Sequence, residues 1–337
     1  MAAPPNPLAD LPGMPALRAR VDERLLAAVA SDDPAMTEMA SHLVKAGGKR
    51  LRPLLAALSS VAGDGAPAGD RGTAAATAVG DDAVTGGVAC ELVHVGSLHH
   101  DDVIDEAEMR HGVESVNARW GNLRAILSGD FLLARASGLA ASLGTEVAGL
   151  LAATIGRLCE GEVRELQFAY QVDRSAADYA AAIEGKTAAL FSTACRIGGI
   201  VADLPRDQID ALTGFGLHYG MAFQVVDDIL DVVATDDELG KPAGHDMAEG
   251  VYNLPVLRAL GGGGGGELRA LLGGPLDADA QSRALAIVRA GDGVAQSITE
   301  ARAYVDRAVA DLDRLPPRPA GEALAAATRD LLVGLDR

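Results

Sequence analysis

The chain predicts an all-α fold, a single-domain helical bundle, and three observations carry that reading. Its apolar fraction is 49% but aromatics make up only 3%, and alanine and leucine, both strong helix formers, supply most of the apolar mass. Apolar positions recur with a helical period over long segments, and no stretch alternates convincingly as a strand. The segments are separated by small, glycine-rich stretches that cannot continue a helix.

Taken in order, the first thirteen residues are rich in proline and are expected to be a disordered tail, which leaves residues 14–337 as the folded domain. A length of 337 residues could hold two domains, yet no long linker divides it. The stretch Ala62 to Asp82 is small, polar and glycine-rich and reads as a loop. Helices are expected over Thr85 to Met109 with Gly112 as the stop, and over Asn122 to Leu143, Glu146 to Tyr170, Tyr179 to Val201 and Arg206 to Val233. The glycine run Gly261 to Gly266 is expected to be a connector, because glycine costs about 1 kcal/mol per helical position relative to alanine.

The 47 acids against 29 Lys and Arg give a net charge of −18, which opposes binding to nucleic acid or to an anionic membrane face. No segment has the uncharged length of a membrane span, and the N-terminus lacks the basic and apolar regions of a signal peptide. Cys90, Cys159 and Cys195 are odd in number, widely spaced and set among apolar residues, which reads as reduced core thiols in a cytoplasmic protein.

HHDDVIDEAEMRHG, residues His99 to Gly112, packs five acids and three histidines into a stretch that follows an apolar helix. On that helix His94, Leu98, Asp101 and Asp105 share one face, with Asp102 beside them. Acids spaced four apart repel, and those at the C-terminal end also meet the negative pole of the helix dipole. The arrangement becomes favourable with a hard divalent cation such as Mg²⁺, which is bound through one or two carboxylates together with substrate phosphates. A second DDxxD, Asp227, Asp228 and Asp231, lies in FQVVDDILD among apolar neighbours, where Gly220, Gln224, Asp227 and Asp231 step along one face. A solvated face would be broader and more mixed in charge; two thin acidic stripes on separate helices can face each other across a cavity and hold metal ions. The four lysines are Lys45, Lys49, Lys186 and Lys241, and three of them directly follow glycine, in GGKRLRP, IEGKT and LGKPAGHD. Lysines kept beside glycines fit compact cations near a phosphate that the backbone can approach closely; Lys45 and Arg50 read as exposed.

The two DDxxD motifs, GGKRLRP, the HDD context following His94, WGNLRAILSGDFLLARA, EGKTAAL, FQVVDDILD and LGKP, in this order over roughly Ala40 to Leu260, resemble the trans-isoprenyl diphosphate synthases, the prenyl-chain-elongating enzymes. The resemblance implies a homodimer of isoprenoid synthase-like all-α subunits around a deep central cavity. It implies condensation of isopentenyl diphosphate with an allylic diphosphate to a trans-polyprenyl diphosphate, with roughly three Mg²⁺ per active site held between carboxylates and substrate phosphate. By motif, Asp101, Asp102 and Asp105 would bind metal on one side, and Asp227, Asp228 and Asp231 on the other. Arg110, Lys186, Thr187, Gln224 and Lys241 would hold the allylic diphosphate, and Lys49, Arg52, His94 and His111 the isopentenyl diphosphate.

The chain departs from the resembled pattern where many members have a second arginine after the first motif and this one has His111, and where many have a second lysine in the loop after LGKP and this one has Val251. His99 replaces a usual aliphatic residue and is expected to point away from the metal stripe, packed or hydrogen-bonded. Gly96, five residues before Asp101, stands where a bulky aromatic accompanies short products in the resembled family; Val95 and Ser97 beside it are small and Leu92 is the first sizeable residue, so products of C20 or longer are expected. The competing reading of Gly96 is close helix packing. Three other functions compete. His100-Asp101 fits an HD-type metal phosphohydrolase but leaves the second motif unexplained. A terpene synthase would want more aromatic walls than five Phe, five Tyr and one Trp supply. A non-catalytic subunit of a heteromeric synthase would be expected to lose one aspartate motif, and this chain keeps both.

Overall fold

Two helices in the middle of the molecule are buried on every side over long runs, and the rest of the chain is wrapped around them. The computed structural model describes residue 8 and residues 13–64, 79–234 and 243–335. In these, α1 (Met14–Ala28), α2 (Pro34–Ala46), α3 (Leu51–Ser59) and α4 (Asp81–Ile104) precede a short hairpin of β1 (Met109–Arg110) and β2 (Val113–Glu114). Next come α5 (Val116–Trp120), α6 (Asn122–Ser142), α7 (Thr145–Gln167), α8 (Ala176–Ile183), a π-helical turn (Glu184–Ala188), α9 (Ala189–Val201) and α10 (Arg206–Val233). The last part holds α11 (His245–Ala248), α12 (Leu254–Leu260), α13 (Gly265–Leu271), α14 (Ala278–Ala290), α15 (Gly293–Leu312) and α16 (Pro319–Asp330).

The central pair is α4 and α9, in which Ala83 to Val93 and Ala189 to Cys195 are buried without interruption; such helices are apolar all round because they have no solvent face. α3 and α6 flank α4, while α10 lies between α9 and α15. Small residues let these helices meet backbone to backbone. A Cβ on Gly87 of α4 would stand 2.6 Å from the Pro53 Cα of α3, and one on Gly220 of α10 would stand 2.6 Å from the Ala188 Cα. The scarcity of aromatics is compatible with a tight interior for this reason. A second, smaller apolar cluster gathers Met247, Tyr252, Val256, Leu268 and Val288 around the end of α10.

The expected helices recur, with instructive differences at their ends. α4 starts at Asp81, where Asp81 and Asp82 occupy the first turn and meet the positive pole of the dipole. It stops at Ile104, not Met109: Asp105 is the C-cap and Glu106 turns left-handed at φ 51°, at the end where further acids oppose the dipole. Gly112 therefore sits not at a helix stop but in the hairpin turn, with His111 at φ 50° and Gly112 at φ 79°, the two left-handed residues that match strand twist. This hairpin is the strand pairing that the sequence did not disclose. The expected helix over Tyr179 to Val201 is interrupted by the π turn, and there Gly185 lies against α7, where a Cβ would approach the Gly161 Cα to 3.1 Å. α7 ends at Gln167, short of Tyr170. The glycine run is a connector only in part, since Gly265 and Gly266 open α13.

Leu8 is fully buried; the other residues of the expected tail before Gly13, and residues 65–78 of the expected loop, lie outside the described residues. Cys90 and Cys195 are buried thiols as expected, whereas Cys159 is exposed on α7. Arg50, expected at the surface, is 3% exposed and pairs with Asp22 at 2.9 Å and Glu91 at 3.2 Å; Lys45 is exposed. His99 is buried and its Nδ1 lies 2.9 Å from Ser128 Oγ; burial pushes its ring down to about 3, so it is a neutral packed group. Among the described residues no helix is long and apolar enough to cross a membrane.

Gly96 faces α6: a Cβ there would meet Gly129 O at 3.2 Å, Leu132 Cβ at 3.3 Å and Leu133 Cδ2 at 3.4 Å. The packing explanation of this glycine therefore has direct support, since its Cα face is occupied by α6. Gly96→Phe is expected to lower stability by about 1–3 kcal/mol through overpacking against α6, read as a lower denaturant midpoint; an unchanged midpoint would mean that α6 yields freely at this contact.

Candidate active site

The C-terminal half of α4 and the middle of α10 face each other across a cavity of about 620 Å³, which α7, α8 and the π turn complete. From α4 come His94, Ser97, Leu98 and Asp101, with Asp105 at its C-cap, and from α10 come Phe223, Gln224, Asp227 and Asp228. The two acidic stripes thus meet as expected, and the structure shows which carboxylate of each faces the open space.

In the first motif Asp101 and Asp105 line the cavity. Burial, with Glu162 and Asp105 adding to it and Lys186 opposing, pushes the Asp101 carboxyl up to about 7. Asp102 does not line the cavity. It is wholly buried, and its Oδ1 accepts from Nε and Nη2 of Arg110, both at 2.7 Å. A helix turns about 100° per residue, and Asp102, turned away from Asp101, fixes Arg110, which does line the cavity. In the second motif Asp227 and Asp228 line the cavity, and Asp231, one turn further on, is 4% exposed and does not. Asp228 is held on both oxygens: the Tyr179 hydroxyl donates to Oδ2 at 2.5 Å and the Gln224 amide to Oδ1 at 2.8 Å, while Thr187 donates to the Gln224 carbonyl at 2.7 Å. Burial and the neighbouring Asp246 raise the Asp228 carboxyl well above the usual carboxylate range.

The cations divide in the same way. The π turn directs Lys186 and Thr187 into the cavity, in keeping with the tendency of such turns to mark functional positions. Lys186 pairs with Glu162 at 2.8 Å and Glu165 at 2.6 Å, and these two acids hold its ammonium above the ordinary lysine range against the cost of burial. Arg52 and His94 line the cavity; Arg52 stacks over the Phe191 ring at 4.5 Å. Burial and the nearby Arg52 push His94 well below the usual imidazole range, so the ring is neutral. Lys49 is not among the lining residues; its ammonium lies 5.5 Å from the Phe223 ring centroid and is lowered by partial burial against the opposing charge of Asp227. His111 sits at the hairpin turn and does not line the cavity; its left-handed backbone suits histidine better than most residues. Lys241 lies outside the described residues.

Sequence reasoning missed Glu162, Glu165, Tyr179 and Arg174, which also line the cavity. The two glutamates stand three apart on one face of α7, a visible acidic stripe, but nothing local tied them to Lys186. Tyr179 had no signal beyond an apolar context.

Among the described residues no three His, Cys, Asp or Glu side chains converge closely enough to hold a metal by themselves. Carboxylates on opposite walls with open space between them fit Mg²⁺, which keeps waters and completes its shell with substrate phosphate oxygens. Residues 33–286 match the Polyprenyl synthetase family. The chain belongs to that family. It is similar to the nonaprenyl diphosphate synthase of Mycobacterium tuberculosis H37Rv, with 40% identity over 311 residues that cover 91% of this chain and 89% of that protein. It is also similar to heptaprenyl diphosphate synthase component 2 of Geobacillus stearothermophilus, 36% identical over 88% of this chain and 89% of that one. Among solved structures, the polyprenyl synthase of Caulobacter crescentus CB15 complexed with calcium and isoprenyl diphosphate superposes with a TM-score of 0.85 at 31% identity, covering 97% of this chain and 96% of that chain. As a polyprenyl synthetase the protein is a chain-elongating prenyltransferase, and the phosphohydrolase and terpene synthase readings fall.

The raised Asp101 carboxyl has a pH signature. An acid with a folded pKa above its unfolded one stabilises the fold at low pH, and that contribution fades as pH rises from about 4 to about 7. Metal requires the deprotonated carboxylates, so the gain in Tm on adding Mg²⁺ is expected to be larger at about pH 8 than at about pH 5.5. Equal gains at both pH values would contradict metal binding through Asp101.

Proposed function

We propose that this polyprenyl synthetase joins isopentenyl diphosphate to an allylic diphosphate with Mg²⁺, roughly three ions per site, and makes trans-polyprenyl diphosphates of C20 or longer. The observation that carries the proposal is the facing of Asp101 and Asp105 by Asp227 across one cavity that Arg52, Arg110 and Lys186 also line. When bound, Mg²⁺ supplies Lewis-acid stabilisation of the departing diphosphate. Asp101, Asp105 and Asp227 would hold it, and the buried Asp102, Asp228 and Asp231 support the walls. Arg110, anchored by Asp102, and Lys186 face the same leaving group and stabilise its developing charge as the allylic C–O bond breaks. Thr187 and Gln224, already hydrogen-bonded to each other, keep their wall fixed. Lys241 belongs to this group by its motif. Lys49, Arg52 and the neutral His94 orient isopentenyl diphosphate, whose double bond attacks the allylic carbon before a proton is lost. His111 belongs to that group by its motif; burial and the neighbouring Arg110 lower its ring below the usual imidazole range, so it would act as a neutral hydrogen-bonding group.

Product length follows from Ser97, which lines the cavity one residue after Gly96 and leaves space for a growing chain. The names of the polyprenyl synthases it resembles support the same range. A homodimer is supported by α6, which exposes Leu123 at 72%, Leu127 at 51% and Ile126 at 41%, an apolar stretch that a second copy would cover; the cytoplasm is its proposed place.

The test is conversion of isopentenyl diphosphate with allylic primers of increasing length, the products sized by mass. Asp101→Asn and Asp227→Asn are expected to lower turnover by two or more orders of magnitude with the helical content intact, in line with loss of transition-state charge stabilisation; full turnover in excess chelator would end the proposal. In the same assay Ser97→Phe is expected to shorten the product while primer consumption persists, and an unchanged product would place the floor elsewhere. Sedimentation should give the mass of two chains, and Leu127→Glu should shift it toward one.

A further inference from the structure

Arg174, in the turn before α8, is 5% exposed and shares the cavity wall with Tyr179, Asp228 and Val251. Its guanidinium lies 5.6 Å from the ring centroids of both Phe168 and Tyr179. Nη1 donates to the Tyr252 carbonyl at a long 3.4 Å, and Nε and Nη2 are buried with no hydrogen-bond partner. A buried cation in this condition is costly, by several kcal/mol per unpaired charge, and calls for an anion. The acids whose charge reaches it are Glu165, Asp228 and Asp178. Each is committed elsewhere: Glu165 to Lys186 at 2.6 Å, Asp228 to Tyr179 and Gln224, and Asp178 to the Ser175 hydroxyl at 2.6 Å. Val251, on the same wall, brings no charge. The protein therefore leaves a planar, permanently charged, multidentate donor beside the cavity with its counter-anion missing.

We propose that Arg174 is a further diphosphate-binding residue, whose guanidinium pairs with a phosphate of the allylic substrate from the α8 side. This rests on the cavity being the prenyl diphosphate site. The long bond to Tyr252 costs little to release, so a turn of the terminal guanidinium out of the ring sandwich lets Nη1 and Nη2 reach phosphate oxygens in the bidentate manner that arginine favours.

Two readouts test it on the full-length protein: the Kd of inorganic pyrophosphate with Mg²⁺ by calorimetry, and the separate KM values of the two substrates. Arg174→Met should weaken pyrophosphate binding about tenfold or more, the effect of losing a charge-assisted pair. It should raise the KM of the allylic diphosphate by a similar factor and leave that of isopentenyl diphosphate within about twofold. Arg174→Lys should recover most of the pyrophosphate affinity. Should the Met variant not fold, Arg174→Gln, neutral but polar, takes its place with the same expectation. Unchanged pyrophosphate affinity in a folded Met or Gln variant would overturn the proposal, as would a raised KM for isopentenyl diphosphate beside an unchanged KM for the allylic diphosphate; failure of both neutral variants to fold would make Arg174 a structural residue and overturn it too. A wild-type protein that neither binds pyrophosphate nor elongates a primer would instead overturn the reading of the cavity itself.

Discussion

Crowding of negative charge against a half-buried space is the constraint around which this molecule is organised. Eight carboxylates and four lysine or arginine side chains line the cavity. Carboxylates in such a setting are either protonated, paired or metal-bound, and all three states are prepared here. Burial raises Asp101, Glu162 and Asp228 toward protonation, Lys186 and Arg110 form ion pairs, and Asp101, Asp105 and Asp227 line the space in which the proposed divalent cations would sit. On the proposed function, an acidic cavity can take a polyanion because the metals would reverse the local sign.

The fold meets this constraint by dividing labour between neighbouring aspartates. In each DDxxD the second aspartate is the more buried of the adjacent pair and is hydrogen-bonded to side chains that also line the cavity. Asp102 fixes Arg110, and Asp228 gathers Tyr179 and Gln224, with Thr187 beyond. Such buried hydrogen-bonded pairs are of uncertain net value to stability, but removing one partner is expensive, so they fix direction. Direction is what a site that stabilises developing charge requires.

Close helix contacts set the distances. Gly161 against Gly185 brings α7 onto the π turn, which presents Lys186 to Glu162 and Glu165, and Gly96 against Gly129 brings α6 onto α4. Larger residues at these contacts would separate the walls. The same economy leaves α6 with an apolar outer face, since small residues such as Gly129 are used against α4 while Leu123, Ile126 and Leu127 are exposed.

Local spacing in the chain determined the all-α class, most helix bodies, the two acidic stripes and the glycine-bound lysines, because a helical period fixes which residues share an azimuth regardless of neighbours. It also exposed His99 as a group outside the metal stripe. It could not say which side of a helix meets which partner. That Asp102 and Asp231 are buried while Asp101 and Asp227 face the cavity, that Gly96 meets α6 and Ser97 the open space, and that Arg50 is enclosed by Asp22 and Glu91, depends on how helices are stacked. The partners concerned are far apart in sequence: Lys186 and Glu165 are 21 residues apart and Tyr179 and Asp228 are 49 apart. Cooperative packing selects one such set of contacts from many that the same periodicity permits, and only tertiary structure records the choice.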